Sequence, residues 1–145
     1  MENSINNKAF KIIKQILVTQ ILSIVFAIVG ELYMRLLITY DWMFTNVILL
    51  NLGVVLLTLL YIIAIRLFLE GSWLNVLFIS VPYVIYWFII LFEGAKFFPT
   101  HTDPNDYGVG IIGIFISMYQ WISVIMASAI GTYLNKRRYK INNKS

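Results

Sequence analysis

GVGIIGIFISMYQWISVIMASAIGTYL, residues 108–134, is the stretch on which the fold turns. Set on a helical wheel at about 100° per residue, it divides by size. Gly110, Gly113, Ser117, Gln120, Ala127, Ser128 and Gly131 fall on one face, with Val124 the one large apolar residue among them. The opposite face carries Ile111, Phe115, Met118, Ile122, Ile125, Met126 and Tyr133. Neither face has a charge, so this is not the amphipathic helix of a soluble protein. In a bilayer the division has a physical meaning. Lipid tails are as apolar as leucine, so helices associate through close packing and interhelical hydrogen bonds, and small residues mark the packed side. The expectation is an inner helix of a membrane bundle, its bulky face toward lipid. Gly110, Gly113, Ser117, Gln120, Ala127 and Gly131 form the expected packing face.

The remainder of the chain agrees. Hydrophobic residues make up 60% of its 145 positions and charged ones 12%, about half the charged share of a soluble domain. The mean hydropathy is +0.81. There is no cysteine, which removes thiol chemistry and Cys-ligated zinc or iron–sulfur centres. A single membrane domain over residues 1–145 is expected, with no separate soluble one.

Three further apolar runs precede the last. The first spans about residues 12–35, after Lys8, Lys11 and Lys14, and carries Glu31 and Arg35 four residues apart. A secretory signal peptide also begins basic and continues apolar. This run is longer, and AIVG at 27–30 is a poor cleavage site, so an uncleaved helix is expected. The second runs over about 44–68, with Arg66 and Glu70 again four apart. Gly71-Ser72 reads as a tight turn, which predicts that the second and third helices are antiparallel neighbours. The third, about 73–92, has Pro82 at its middle. A proline there leaves a backbone carbonyl free, and membrane helices tolerate this when a neighbour bonds to it. All four runs meet or approach the roughly 20 residues that a bilayer core requires.

The expected fold is therefore all-α: an integral membrane bundle of four transmembrane helices. An even number of spans places both termini on one side. Lys8, Lys11, Lys14, Arg66, Lys136, Arg137, Arg138, Lys140 and Lys144 would share that side, leaving Arg35 and Lys96 on the other. The excess of basic residues on cytoplasmic segments predicts cytoplasmic termini in a cell membrane. The basic tail suits anionic headgroups better than nucleic acid, which is not an expected partner.

Chemistry is sparse. Every charge reads as lying at a helix end, within reach of water, and the Glu31/Arg35 and Arg66/Glu70 pairs read as interfacial pairs worth under about 1 kcal/mol. A proton relay requires an ionisable group at depth. Gln20, Asn51 and Gln120 are candidates for a buried polar cluster, either a ligand site or interhelical hydrogen bonds. Tyr83, Tyr86 and Trp87 could line an aromatic pocket or simply pack. The 93–107 loop holds His101, Asp103 and Asp106. It fails the calcium-loop pattern, with Tyr107 and Ile114 at ligand positions, and one His without Cys makes no zinc site. No metal, cofactor or catalytic group is expected.

The function expected is non-enzymatic: contact through helices with itself or a larger membrane protein, as an accessory or immunity-type protein in the lipid bilayer. The alternative is an oligomeric channel, permease or holin-like pore for a neutral or small solute. A lipid-modifying enzyme is the remotest reading.

Overall fold

In the computed structural model the described residues form four long helices: α1 Glu2–Thr39, α2 Val47–Phe68, α3 Leu74–Phe97 and α4 Tyr107–Asn142. The structure describes residues 2–40, 42, 46–97 and 107–142, and side-chain surroundings for 9–40, 42, 46–94 and 114–138. His101, Asp103 and Asp106 lie outside the described residues. Each helix contains a stretch long and apolar enough to cross a membrane: Ala9–Thr39, Val47–Phe68, Leu74–Gly94 and Ile114–Arg138. Helices suit such sequences because they satisfy every backbone group internally where no water is present. α1 and α4 outrun the expected 12–35 and 108–134, because their polar ends continue the helix beyond the apolar stretch. At about 1.5 Å per residue α1 is roughly 57 Å long, well beyond the ~30 Å of a hydrocarbon core.

The hydrogen bonds between helices give their directions. Gln15 bonds to Asn75 and Ser23 to the carbonyl of Ile79, while Arg35 reaches the carbonyl of Leu91, so α1 and α3 run parallel. Tyr119 bonds to Asn51 and Asn135 to the carbonyl of Leu69, so α2 and α4 are parallel too. The two pairs face each other antiparallel. Ser80 meets Ser128 between α3 and α4, and Tyr61 stacks on Phe26 between α2 and α1, with ring centres 4.1 Å apart. Around the bundle the order is α1, α3, α4, α2, and α1 also touches α4 across the middle. Phe26, Tyr61, Ile79, Tyr83 and Val124 fill that middle.

This order corrects the expectation that α2 and α3 are neighbours. Among the described residues they do not touch. The link at 69–73 is short, but it crosses the end of α4 instead of folding back. Leu69 leaves the helix in an extended conformation. Asn135 of α4 donates to the carbonyls of Ile65 (3.3 Å) and Leu69 (2.7 Å), taking the orphan acceptors at the end of α2. Gly71 then lies against α4: a Cβ there would be 2.6 Å from the backbone nitrogen of Lys136. Asn75, fully buried, donates to the carbonyl of Glu70 at 2.6 Å.

The expected Arg66–Glu70 pair is absent for the same reason. The helix ends at Phe68, so the four-residue spacing no longer aligns the two side chains. Glu70 pairs instead with Lys11, at 3.0 Å.

Candidate functional site

The polar interior begins at Pro82. With no N–H on Pro82, the carbonyl of Phe78 lacks its helical donor. Gln20 of α1 supplies one, its Nε2 lying 3.3 Å from that oxygen, and the Tyr86 hydroxyl donates to Gln20 Oε1 at 2.9 Å. The next two carbonyls also take side-chain donors, Ser23 on Ile79 at 2.9 Å and Trp121 on Ser80 at 3.1 Å. Three consecutive carbonyls of α3 are thus bonded from α1 and α4. This makes a test of Gln20 possible. Gln20→Leu is expected to lower stability by about 1 kcal/mol. In a Pro82→Ala background, where the helical N–H returns, the same change is expected to cost much less. Thermal unfolding of the four proteins in detergent measures the coupling, and equal losses in both backgrounds would contradict the assignment.

Two turns further along, the bundle contains a charge pair. Glu31 is 2% exposed, wedged between α1, α3 and α4, and its carboxylate lies 2.9 Å from Arg35 Nε. The expectation that water reaches Glu31 is overturned. Other helices cover the carboxylate, because Gly30 and Gly94 admit their neighbours closely. A Cβ on Gly30 would lie 3.1 Å from both Tyr83 OH and Gln120 Oε1, and one on Gly94 would lie 2.9 Å from an Arg35 guanidinium nitrogen. Gln120 Nε2 donates to the Gly30 carbonyl at 2.9 Å. The indole nitrogen of Trp87 is within reach of the Glu31 carboxylate but makes no aligned hydrogen bond. Tyr83 OH, Gln120 Oε1 and Glu31 Oε2 are likewise buried without a hydrogen-bond partner. Four polar atoms therefore surround Gly30 and Glu31 with bonding capacity unused, a concentration unusual in a packed interior.

Beside this cluster an apolar groove of about 320 Å³ opens on the bundle surface between α3 and α4. Its walls are ridges at helical spacing: Tyr83, Trp87 and Leu91 with Val84 and Phe88 on α3, and Ile114, Met118 and Trp121 with Ser117 on α4. Tyr83 and Trp87 therefore pack between groove and polar cluster, while Tyr86 turns to Gln20.

The small-residue face of α4 is distributed over all three other helices. Ser117 donates to Met34 Sδ at 3.7 Å and Gln120 bonds to Gly30, both on α1. Ser128 meets Ser80 of α3, and a Cβ on Gly131 would lie 2.7 Å from Ile65 Cγ2 of α2. Ala127 and Val124 are fully buried. Gly110 and Gly113 belong to α4, but their surroundings lie outside the described residues. On the opposite face Phe115, Met118, Ile122, Met126 and Tyr133 are exposed.

Gln20, Asn51 and Gln120 do not form one cluster. Gln20 serves the Pro82 carbonyl and Gln120 the Gly30 carbonyl. Asn51 is exposed, donating within α2 to Val47 and accepting from Tyr119. Three asparagines carry structural work that the sequence reading passed over. Asn135 and Asn75 hold the α2–α3 link, and Asn46 caps α2 by accepting from the Leu49 N–H at 3.3 Å. Asn46 was legible as an Asn directly before an apolar run, whereas the other two act only across helices.

No protein-family model, curated protein or solved structure matches this chain. Its four helices are long and apolar enough to cross a membrane, which is compatible with a small multi-pass membrane protein.

Proposed function

We propose that the protein acts without catalysis, by accepting a transmembrane helix of a membrane partner or of a second copy into the groove between α3 and α4. The observation that carries this reading is the pattern of its walls. Tyr83, Trp87 and Leu91 on one side and Ile114, Met118 and Trp121 on the other are two ridges at spacings of three and four residues. A groove between such ridges is complementary to the ridge of a third helix. The filled bundle centre favours contact over conduction through a single copy. A photo-crosslinking residue at Phe88 or Met118, in the native membrane, is expected to yield a protein–protein adduct whose mass reveals whether the second chain is the same. Positions Leu59 and Ile63 on the exposed side of α2 are expected to capture lipid alone. Lipid adducts alone from all four positions would refute the reading.

The same proposal places the protein in the cell membrane with both termini cytoplasmic. It rests on the basic residues gathered at the end of the bundle where Lys11 meets Glu70 and where Arg66, Lys136, Arg137 and Arg138 lie. A reporter fused after Ser145 reads the side directly, and an external signal would reverse it. One observation favours a second reading, a permease for a small polar solute: the unused bonding capacity around Glu31. That reading requires Glu31→Gln to abolish activity at normal abundance.

A further inference from the structure

At the basic end of the bundle, between the start of α3 and the end of α4, Trp73, Tyr133, Lys136 and Arg137 line a recess of about 310 Å³. We infer that this recess binds the phosphate headgroup of an anionic phospholipid. The inference rests on the membrane reading and goes beyond it by naming a site and a ligand class.

The position fits a headgroup. Trp73 immediately precedes the apolar span Leu74–Gly94, and Lys136 and Arg137 fall in the last turn of the span Ile114–Arg138. Both sets of residues thus sit where hydrocarbon gives way to headgroups, the level at which Trp and Tyr are enriched. Below the recess, Leu77 is one turn from Trp73 and Ile130 one turn from Tyr133, both exposed, and offer an apolar track for acyl chains.

The chemistry fits an anion. Two cations line the recess and no carboxylate does. The nearby acid of the link, Glu70, is engaged with Lys11. Among the described residues neither Lys136 nor Arg137 has a carboxylate partner. A guanidinium presents a planar fork suited to phosphate oxygens, and an ammonium adds a second donor. Lys136 Nζ lies 6.0 Å from the centre of the Trp73 ring, within cation–π range, which keeps the ammonium at the recess.

The backbone is fixed on both sides. Gly71 packs on the Lys136 backbone, and Asn135 is bonded to the end of α2 by two carbonyls. This separates a built site from the basic tail beyond it, where diffuse attraction to an anionic surface would suffice.

The test uses the full chain in a neutral detergent, where no membrane surface potential operates, with bound lipids counted by native mass spectrometry. Phosphatidylglycerol is expected to bind more than tenfold tighter than phosphatidylcholine with the same acyl chains. Lys136→Gln/Arg137→Gln is expected to weaken phosphatidylglycerol by at least about tenfold, the loss of direct charge-assisted contacts to the phosphate. Both side chains are exposed, so thermal stability should not change. Lys140→Gln/Lys144→Gln removes the same charge from the tail and is expected to leave the binding intact. Equal affinity for the two lipids, or equal losses from the two double variants, would overturn the site. Displacement by millimolar inorganic phosphate would identify free phosphate, not lipid, as its ligand. None of these outcomes depends on whether a partner helix occupies the α3–α4 groove.

Discussion

Arg35→Leu is expected to be the most damaging single substitution in the described bundle. It removes the guanidinium 2.9 Å from Glu31 and leaves a carboxylate 2% exposed without that counter-charge. Breaking a buried pair from one side costs about 3–5 kcal/mol, because the remaining charge keeps its desolvation penalty and loses its compensation. The pair as a whole is not expected to add that much. Replacing both partners removes the penalty along with the attraction, so Arg35→Leu/Glu31→Gln should recover most of the loss. Folded yield and thermal unfolding in detergent measure both effects. A single variant as stable as the native protein would show that Glu31 gains nothing from Arg35. A double variant no better than the single would place the damage in packing around Arg35, whose guanidinium also approaches the Leu91 carbonyl and Gly94.

Gly131→Leu is expected to be next in severity. The first added carbon would already lie 2.7 Å from Ile65 Cγ2 and 3.4 Å from the Ile62 carbonyl oxygen. Ile65 is fully buried, so it has little room to retreat. Overpacking of this kind costs about 1–3 kcal/mol. Here the collision falls at the α2–α4 contact, close to Asn135, whose bonds end α2 and position the link. Separation of the helices would therefore also release the link. Met126→Leu on the exposed face exchanges one apolar surface group for another and is the control, expected to match the native protein in abundance and melting. The contact has been misjudged if Gly131→Leu does the same.

The two variants mark the difference between what was legible and what was not. Gly131 was readable because its signal is local: a small residue repeated at the helical period in a charge-free apolar stretch has few physical explanations. The same holds for Pro82, whose missing N–H must leave an acceptor for a neighbour to satisfy. That the neighbour would be Gln20 was not readable, since α1 and α3 are 58 residues apart at that bond. Glu31 was misread for a related reason. Its distance from the helix end gives its depth, but burial depends on what covers that depth, and Trp87, Tyr83 and Gln120 arrive from two other helices. Arg66 and Glu70 show the reverse error. Their spacing predicts a pair only while the helix continues, and it ends between them.

By itself, the sequence determined the material of this protein: four apolar helices, their approximate limits, the breaks between them, and which face of the last carries small side chains. These follow from composition and from a period of 3.6, both properties of a single segment. Only the tertiary structure decided how the segments are arranged. Five link residues can either fold a helix back on its neighbour or carry it past one, and the choice fell to side chains distant in sequence. Asn135 takes the end of α2, and Gly71 lets the link cross Lys136. That choice makes α1 the partner of α3 and α2 the partner of α4, and with it places Glu31 in the interior and opens the groove between α3 and α4.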